Sequence, residues 1–221
     1  MKTLVIRLAG TVDDDSLPKF GELKINCLMN MGSSVNYPQR NFNLVVKEPI
    51  TATVDGTGFF TNNDYTGNLG KKITVSGTQT VTLGTSSSAY NLKFSNKYAI
   101  TSMEFWGGYI RNVKLTDLRD MVQLTHLYID DATNVSGTLS DLATLVNMKE
   151  LRIDSTPNIT GAISALLPLT QMTYLRLWAS TNPSVSMSGI TGTTADIAAL
   201  YPTLQSVNFT GTAVTGSWPP A

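Results

Sequence analysis

A hexad of fixed pattern recurs along the second half of the chain and constrains its fold more than any other feature. The hexads ITSMEF, LTHLYI, MKELRI, MTYLRL and LQSVNF share the pattern apolar-x-x-apolar-x-apolar, and they begin at Ile100, Leu124, Met148, Met172 and Leu204. The first three intervals are 24 residues each and the last is 32, which places an insertion near residues 181–188. Self-similarity at a fixed period predicts stacked structural repeats.

A glycine-containing segment lies between successive hexads. NVSGTLSDLATLVN, NITGAISALLPLTQ and GITGTTADIAALYPT align on a glycine followed by spaced apolar residues, and AVTGSWPP begins a further copy. We interpret the glycines as sites where φ must be positive or where a side chain would clash. In the second copy this predicts a turn over residues 158–161, then an apolar return segment with Ile163, Leu166 and Leu169 in the core, and then a strand.

The two elements together resemble the leucine-rich repeat, in particular the 24-residue plant-type form, whose return segment reads L-x-G-x-I-P. The resemblance covers about residues 100–221. Leu139 and Ile163 match the apolar residue that follows the family glycine, and that glycine is matched by Gly137, Gly161, Gly192 and Gly216. The resemblance implies a mainly β fold: a short right-handed leucine-rich-repeat solenoid with a parallel sheet and about five repeats over residues 99–221.

The chain departs from the family at the buried asparagine that follows each strand. At that position stand Ala132, Thr156, Ser180 and Thr212. Asn134 and Asn158 lie two residues further along. A shifted ladder of asparagine or threonine side chains is therefore expected in place of the usual asparagine ladder.

The two ends of such a stack must be covered, because one repeat cannot bury its apolar face alone. Residues 1–98 are rich in Thr, Gly and Asn and read as a β-rich capping domain, with a set of irregular early repeats as the open alternative. Strands are predicted near residues 3–8, 43–58, 71–85 and 90–94, with a turn at Ser76-Gly77. At the other end, Trp218 is expected to lie over the last core layer. Pro219 and Pro220 cannot extend a sheet.

Polar, charged and aromatic side chains occupy the outward positions of the hexads. The third positions hold Ser102, His126, Glu150, Tyr174 and Ser206. The fifth positions hold Glu104, Tyr128, Arg152, Arg176 and Asn208. The positions directly after the hexads hold Trp106, Asp130, Asp154, Trp178 and Thr210. Trp, Tyr and Arg dominate the energetics of protein interfaces. A partner-binding surface is therefore predicted at Trp106, His126, Tyr128, Arg152, Tyr174, Arg176 and Trp178.

A structural role for the same charges is the open alternative. Arg152 and Arg176 would then pair with Asp130, Asp154 and Glu150 across adjacent strands and stabilise the sheet by fractions of a kcal/mol each.

Composition and spacing argue against catalysis, metals, cofactors and nucleic acid. The formal net charge is zero and only 14% of residues are charged, so no basic field attracts nucleic acid. Cys27 is the only cysteine, and no Cys/His cluster has metal-ligand spacing. Arginines are expected to keep Asp130 and Asp154 both ionised, and no nucleophile elbow accompanies Ser102 and His126. We expect no enzymatic activity, no metal and no cofactor.

The N-terminal segment bears on localisation. In MKTLVIRLAG, Arg7 interrupts the apolar run that a secretory signal requires, and no stretch reaches the roughly 18 apolar residues of a membrane span. We expect the protein in a virion or in the cytoplasm of the producing cell, and at the cell surface only if a signal peptide has been removed.

These features support two functional hypotheses. The low charge and Thr/Gly/Asn-rich β texture resemble small repeat proteins of gut bacteria and their phages. The first hypothesis is a non-enzymatic interaction or structural protein that binds a partner through the concave face of the solenoid, with a phage head or tail component as its narrower form. The alternative is a bacterial cell-surface glycan-binding or adhesin-like protein, whose sugar-stacking platforms would be Trp106, Tyr128, Tyr174 and Trp178. The oligomeric state is open in both.

Overall fold

A computed structural model describes residues 23–28, 41–56, 60–62, 65–67, 72–83, 89–94, 96–106, 110–179 and 185–219, with side chains for 96–104, 113–179 and 185–219. The predicted strand at residues 3–8 lies outside the described residues. Within them the strands are β1 (Leu23–Leu28), β2 (Asn41–Gly56), β3 (Phe60–Asn62), β4 (Tyr65–Gly67), β5 (Lys72–Leu83), β6 (Ala89–Phe94), β7 (Ile100–Trp106), β8 (Ile110–Lys114), β9 (His126–Asp130), β10 (Asn134–Thr138), β11 (Glu150–Asp154), β12 (Ile159–Ala162), β13 (Tyr174–Trp178), β14 (Met187–Thr193), β15 (Ser206–Asn208) and β16 (Thr212–Thr215). Short 3-10 helices span Lys97–Ala99, Leu115–Asp117, Leu139–Leu142, Ile163–Leu166 and Thr194–Leu200.

Two parallel sheets form the second half of the described chain. The hexads supply the first sheet, in which β7, β9, β11, β13 and β15 pair in chain order. The glycine-containing segments supply the second sheet, in which β8, β10, β12, β14 and β16 pair in the same order. A mainly β chain with a parallel sheet is therefore confirmed, and a second parallel sheet accompanies the predicted one.

The glycine-containing segments differ from their predicted structure. The turn predicted over residues 158–161 is wrong, because Ile159–Ala162 is strand β12. Its backbone pairs with β10 and β14, with Gly137 opposite Ile159 and Gly161 opposite Ile190. The four aligned glycines were expected where φ must be positive or a side chain would clash, and φ is positive at all four: +145° at Gly137, +115° at Gly161, +121° at Gly192 and +96° at Gly216.

The N-terminal strands extend both parallel sheets by antiparallel pairing. β2 pairs with β7, β1 pairs with β8, and β6 lies between β1 and β2. Strands predicted near residues 43–58, 71–85 and 90–94 correspond to β2, β5 and β6. The turn predicted at Ser76-Gly77 is wrong, since both residues lie inside β5. The register between β2 and β5 shifts on the β2 side, between Val46 and Ile50.

The core lies between the two sheets and the 3-10 helices. In β9 the buried residues Leu127 and Ile129 alternate with side chains that are exposed or half-buried. The next apolar layers repeat these positions 24 residues later with Leu151 and Ile153, which are fully buried. Burying each such side chain contributes about 1.5–3 kcal/mol relative to leaving it exposed.

The last layer is less completely covered. Val207, Phe209 and Val214 are only partly buried, although they follow the same apolar spacing. Trp218 packs against this end of the core, and its ring meets that of Tyr201 edge-on with centroids 5.8 Å apart. The expected position of Trp218 over the last core layer is confirmed.

Polar side chains also tie neighbouring strands together. Thr125 Oγ1 donates to the carbonyl of Thr101 at 2.9 Å, and Thr173 Oγ1 donates to that of Lys149 at 3.1 Å. Asn158 Nδ2 donates to the carbonyl of Thr133 at 2.5 Å. Asn158, two residues beyond the family position, thus bonds the preceding segment, but its side chain is exposed and is not part of a buried ladder like that of the family.

Candidate functional site

The outward residues of the hexads line up in rows across the first sheet. His126 is in register with Ser102 and Glu150, and Tyr174 continues that row. A second row contains Glu104, Tyr128, Arg152, Arg176 and Asn208. We call this surface of β7, β9, β11, β13 and β15 the outer face. The register predicted from the hexads is confirmed.

The residues that directly follow the hexads form a third row on the outer face, and two of them need separate description. Asp154 lies on the outer face as expected, yet its side chain is only 2% exposed. It is buried because Arg176 and Tyr128, from the two neighbouring strands, both interact with its carboxylate. Trp106 stands in register with Asp130, and its side chain lies outside the described residues.

Arg152 lies between two tyrosine rings. Its guanidinium carbon is 4.6 Å from the ring centroid of Tyr174 and 5.6 Å from that of Tyr128. Its Nε donates to Glu150 Oε1 at 2.7 Å, and its Nη2 donates to the same oxygen. The predicted cross-strand pairing of Arg152 is wrong, because residues i and i+2 of a strand share a face and place Glu150 nearest. Cation–π contacts of this kind stabilise by about 0.5–1 kcal/mol each at exposed sites.

Arg176 makes the cross-strand pair that the sequence predicted. Its Nε donates to Asp154 Oδ1 at 2.9 Å, joining β13 to β11. Its guanidinium carbon also lies 4.8 Å from the ring centroid of Trp178. Both arginines of the outer face are therefore held by a carboxylate and by aromatic rings.

Asp130 and Asp154 are in register on the paired strands β9 and β11. Burial, with the Asp131 and Asp154 carboxylates, raises the pKa of Asp130 to about 6. Burial also raises the pKa of Asp154, although Arg176 opposes the rise. Burial and the Asp130 carboxylate raise the pKa of the Tyr128 hydroxyl. Arg176 therefore opposes the effect of burial on the pKa of Asp130 without cancelling it.

A shallow depression of about 230 Å³ lies on the outer face over β7, β9 and β11. His126 is half exposed there; its Nδ1 lies 2.8 Å from Thr125 Oγ1 and its Nε2 lies 3.8 Å from Glu150 Oε2. The residues that line the depression are Ser102, Met103, Glu104, His126, Leu127, Tyr128, Glu150 and Arg152. This lining offers both hydrogen-bond donors and acceptors.

Neither a metal-binding cluster nor a membrane-spanning helix occurs in the described part of the chain. No group of three or more His, Cys, Asp or Glu side chains is arranged there to hold a metal ion. None of the helices in the described ranges is long and apolar enough to cross a membrane. No protein-family model matches the chain, and no curated protein is significantly similar to it.

The sequence rows identified the exposed aromatic and basic side chains and the Arg176–Asp154 pair, but not the pairing of Arg152 within its own strand. Glu150 holds Arg152 and Asp154 holds Arg176. The spacing i, i+2 within a strand was the available signal for the first pair. The left-handed backbone at Asp131, with φ of +52°, had no such signal.

Proposed function

We propose that the protein is a non-enzymatic interaction protein of the leucine-rich-repeat type. In this proposal the successive strand–strand–3-10 units form a short right-handed solenoid, and the outer face is its concave binding surface for a protein partner. The 24-residue spacing of the hexads and the two parallel sheets support the solenoid. The arrangement of arginine and aromatic side chains supports the binding surface.

The observation that carries the proposal is that the Arg152 and Arg176 side chains are held in place on a partly exposed face. The Arg152 side chain is 37% exposed and that of Arg176 is 29% exposed. Each is already held by a carboxylate and an aromatic ring, so binding would immobilise little further side-chain freedom. Side chains ordered before binding reduce the entropic cost of association. Tyr, Trp and Arg are also the residues that most often carry interface energy.

The charges of the outer face favour a protein over a uniformly charged ligand. Glu150 compensates Arg152, and Asp154 compensates Arg176. The face therefore presents a mixture of aromatic surface and locally paired charge, which resembles the core and rim of protein interfaces.

The narrower form of the proposal is a component of a larger assembly such as a phage head or tail. It is supported by the neutral net charge and by the β-rich composition. Size-exclusion chromatography with light scattering, and mass spectrometry of purified particles, would test it. We expect the chain in stoichiometric amount in the particle; a monomer absent from every particle would contradict this form.

The glycan-binding alternative makes a different prediction. The rings of Tyr128, Tyr174 and Trp178 each have a guanidinium beside them, which leaves less free ring surface for stacking on a sugar. Glycan-array signal that disappears in Trp178→Ala would favour the alternative. A silent array would favour the protein partner.

Affinity purification from the producing cells tests the main proposal. The bait would be the wild type, an outer-face variant (Arg152→Ala with Tyr174→Ala) and a second-sheet variant (Thr160→Ala with Thr191→Ala). Thr160 and Thr191 are exposed on β12 and β14, so the control alters the same number of side chains on the other sheet.

We expect one protein to be retained by the wild type and by the second-sheet variant but lost from the outer-face variant. Thermal unfolding of all three verifies that each is folded. Retention by the folded outer-face variant would contradict the proposal.

A further inference from the structure

Two aspartates of the outer face lie near one arginine, which binds only one of them. Asp130 and Asp154 occupy matched positions on the paired parallel strands β9 and β11, which lie about 4.8 Å apart. The side chain of Asp154 is 2% exposed, and Arg176 Nε donates to it at 2.9 Å. Among the residues that the structure describes, no lysine, arginine or histidine nitrogen lies within 4.0 Å of an Asp130 carboxylate oxygen.

The groups around the pair come from each packed strand. β9 contributes the Tyr128 hydroxyl, which interacts with both carboxylates, and the residue after β9 is Asp131. β11 contributes Arg152 and β13 contributes Arg176. On β7 the residue in register with Asp130 is Trp106, which carries no charge. Three carboxylates therefore face two guanidinium groups, and one of these is already bound to Glu150.

Adjacent carboxylates in a partly dry site do not both ionise readily, and their protons leave in steps that belong to the pair. We propose that Asp130, half-buried beside the carboxylates of Asp131 and Asp154, takes up a proton in mildly acidic solution and so makes the outer face responsive to pH. Asp130 loses this proton as the solution approaches neutrality. This inference needs no partner, so it stands independently of the proposed function.

The sign of the effect on stability follows from the direction of the shift. The pKa of Asp130 is about 6 in the folded protein, above the value of about 3.9 for an unfolded chain. The folded state therefore binds more protons between about pH 4 and pH 6. The stabilisation from this proton is fully present below about pH 4 and is lost as the pH rises through about 6.

Carboxyl ¹³C NMR of the wild-type protein tests this proton uptake directly. We expect an aspartate carbon to titrate near pH 6, and we expect the Asp130 midpoint to fall in Asp154→Asn, which removes the second carboxylate. The wild-type spectrum decides the matter even if the variant does not fold. Titration of every aspartate carbon below about pH 4.5 would overturn the inference, because that is the range of ordinary carboxylates.

Thermal unfolding supplies the second measurement. Asp130→Asn should gain melting temperature over the wild type, and this gain should be about 2–4 °C larger at pH 7 than at pH 4. The reason is that the amide cannot acquire the costly charge. Asp131→Asn makes the same change at the next, exposed position. It removes one carboxylate that raises the pKa of Asp130 but keeps the Asp130 carboxyl, so its melting temperature should shift less with pH. An equal shift in both variants, or none in Asp130→Asn, would refute the proposal.

Discussion

Gly161 is the position where a single added methyl group should be most informative. Its φ is +115°, a backbone conformation that residues with a Cβ rarely adopt. A Cβ placed there would lie 3.2 Å from the backbone nitrogen of Leu139 and 3.7 Å from the Leu139 Cβ, at the start of the 3-10 helix Leu139–Leu142. Both the conformation and the contact therefore oppose alanine at this site.

The magnitude follows from two opposing effects. Strained backbone of this kind costs about 1–3 kcal/mol. Alanine also reduces the entropy of the unfolded chain, which stabilises by about 0.4–1 kcal/mol. We expect Gly161→Ala to lower the free energy of unfolding by about 1–2 kcal/mol, which corresponds to a melting temperature lower by about 2–8 °C.

Differential scanning calorimetry measures this effect, with Thr160→Ala as the matched control. Thr160 is the exposed neighbour in β12, and its replacement should change the free energy of unfolding by no more than about 0.5 kcal/mol. A melting temperature of Gly161→Ala equal to or above that of the wild type would refute the interpretation of this glycine.

Three further variants test the packing and the charges. Ala165→Asp should raise the free energy of unfolding by about 0.5–1 kcal/mol in urea titrations, because it adds the carboxylate that caps the start of the other 3-10 helices at Asp117, Asp141 and Asp196. An unchanged midpoint would contradict that role. Leu151→Ala should cost about 2–5 kcal/mol, since Leu151 is fully buried; a cost below about 1 kcal/mol would contradict the core assignment. Arg176→Ala should cost about 1–3 kcal/mol at pH 7, because it leaves the Asp154 carboxylate buried without its cation, and the loss should shrink near pH 3. A loss that does not vary with pH would exclude the charge as its cause.

Apolar spacing was enough to predict the first sheet. Residues such as Leu127 and Leu151 recur at a constant interval with the same neighbours, so one register buries all of them. A shift of one residue would place every apolar side chain on the outer face. The rows of outward residues follow from this register.

The second sheet was not predictable by the same reasoning. Its strands contain Gly137, Gly161 and Gly192, and glycine is a residue that strands disfavour. These strands form because the equivalent segments lie next to one another and satisfy their backbone hydrogen bonds. Local preference indicated a turn, and pairing between distant segments overrode it.

Burial within the outer face also depends on contacts that register does not give. Asp154 and Asp130 occupy equivalent positions, yet Asp154 is buried because Arg176 binds it from β13. The altered pKa of Asp130 then follows from burial and the nearby carboxylates. The aligned positions of the hexads show on which face of the sheet a side chain lies, but not how deeply its charged group is buried.

Calorimetric titration of the recovered partner tests binding at the outer face most directly. The dissociation constant would be measured for the wild type, for Arg152→Ala with Tyr174→Ala, and for Thr160→Ala with Thr191→Ala. We predict that the outer-face variant binds at least about tenfold more weakly, which is about 1.4 kcal/mol, and that the second-sheet variant stays within about twofold of the wild type. Equal weakening in both variants, or weakening in the second-sheet variant alone, would contradict binding through the outer face.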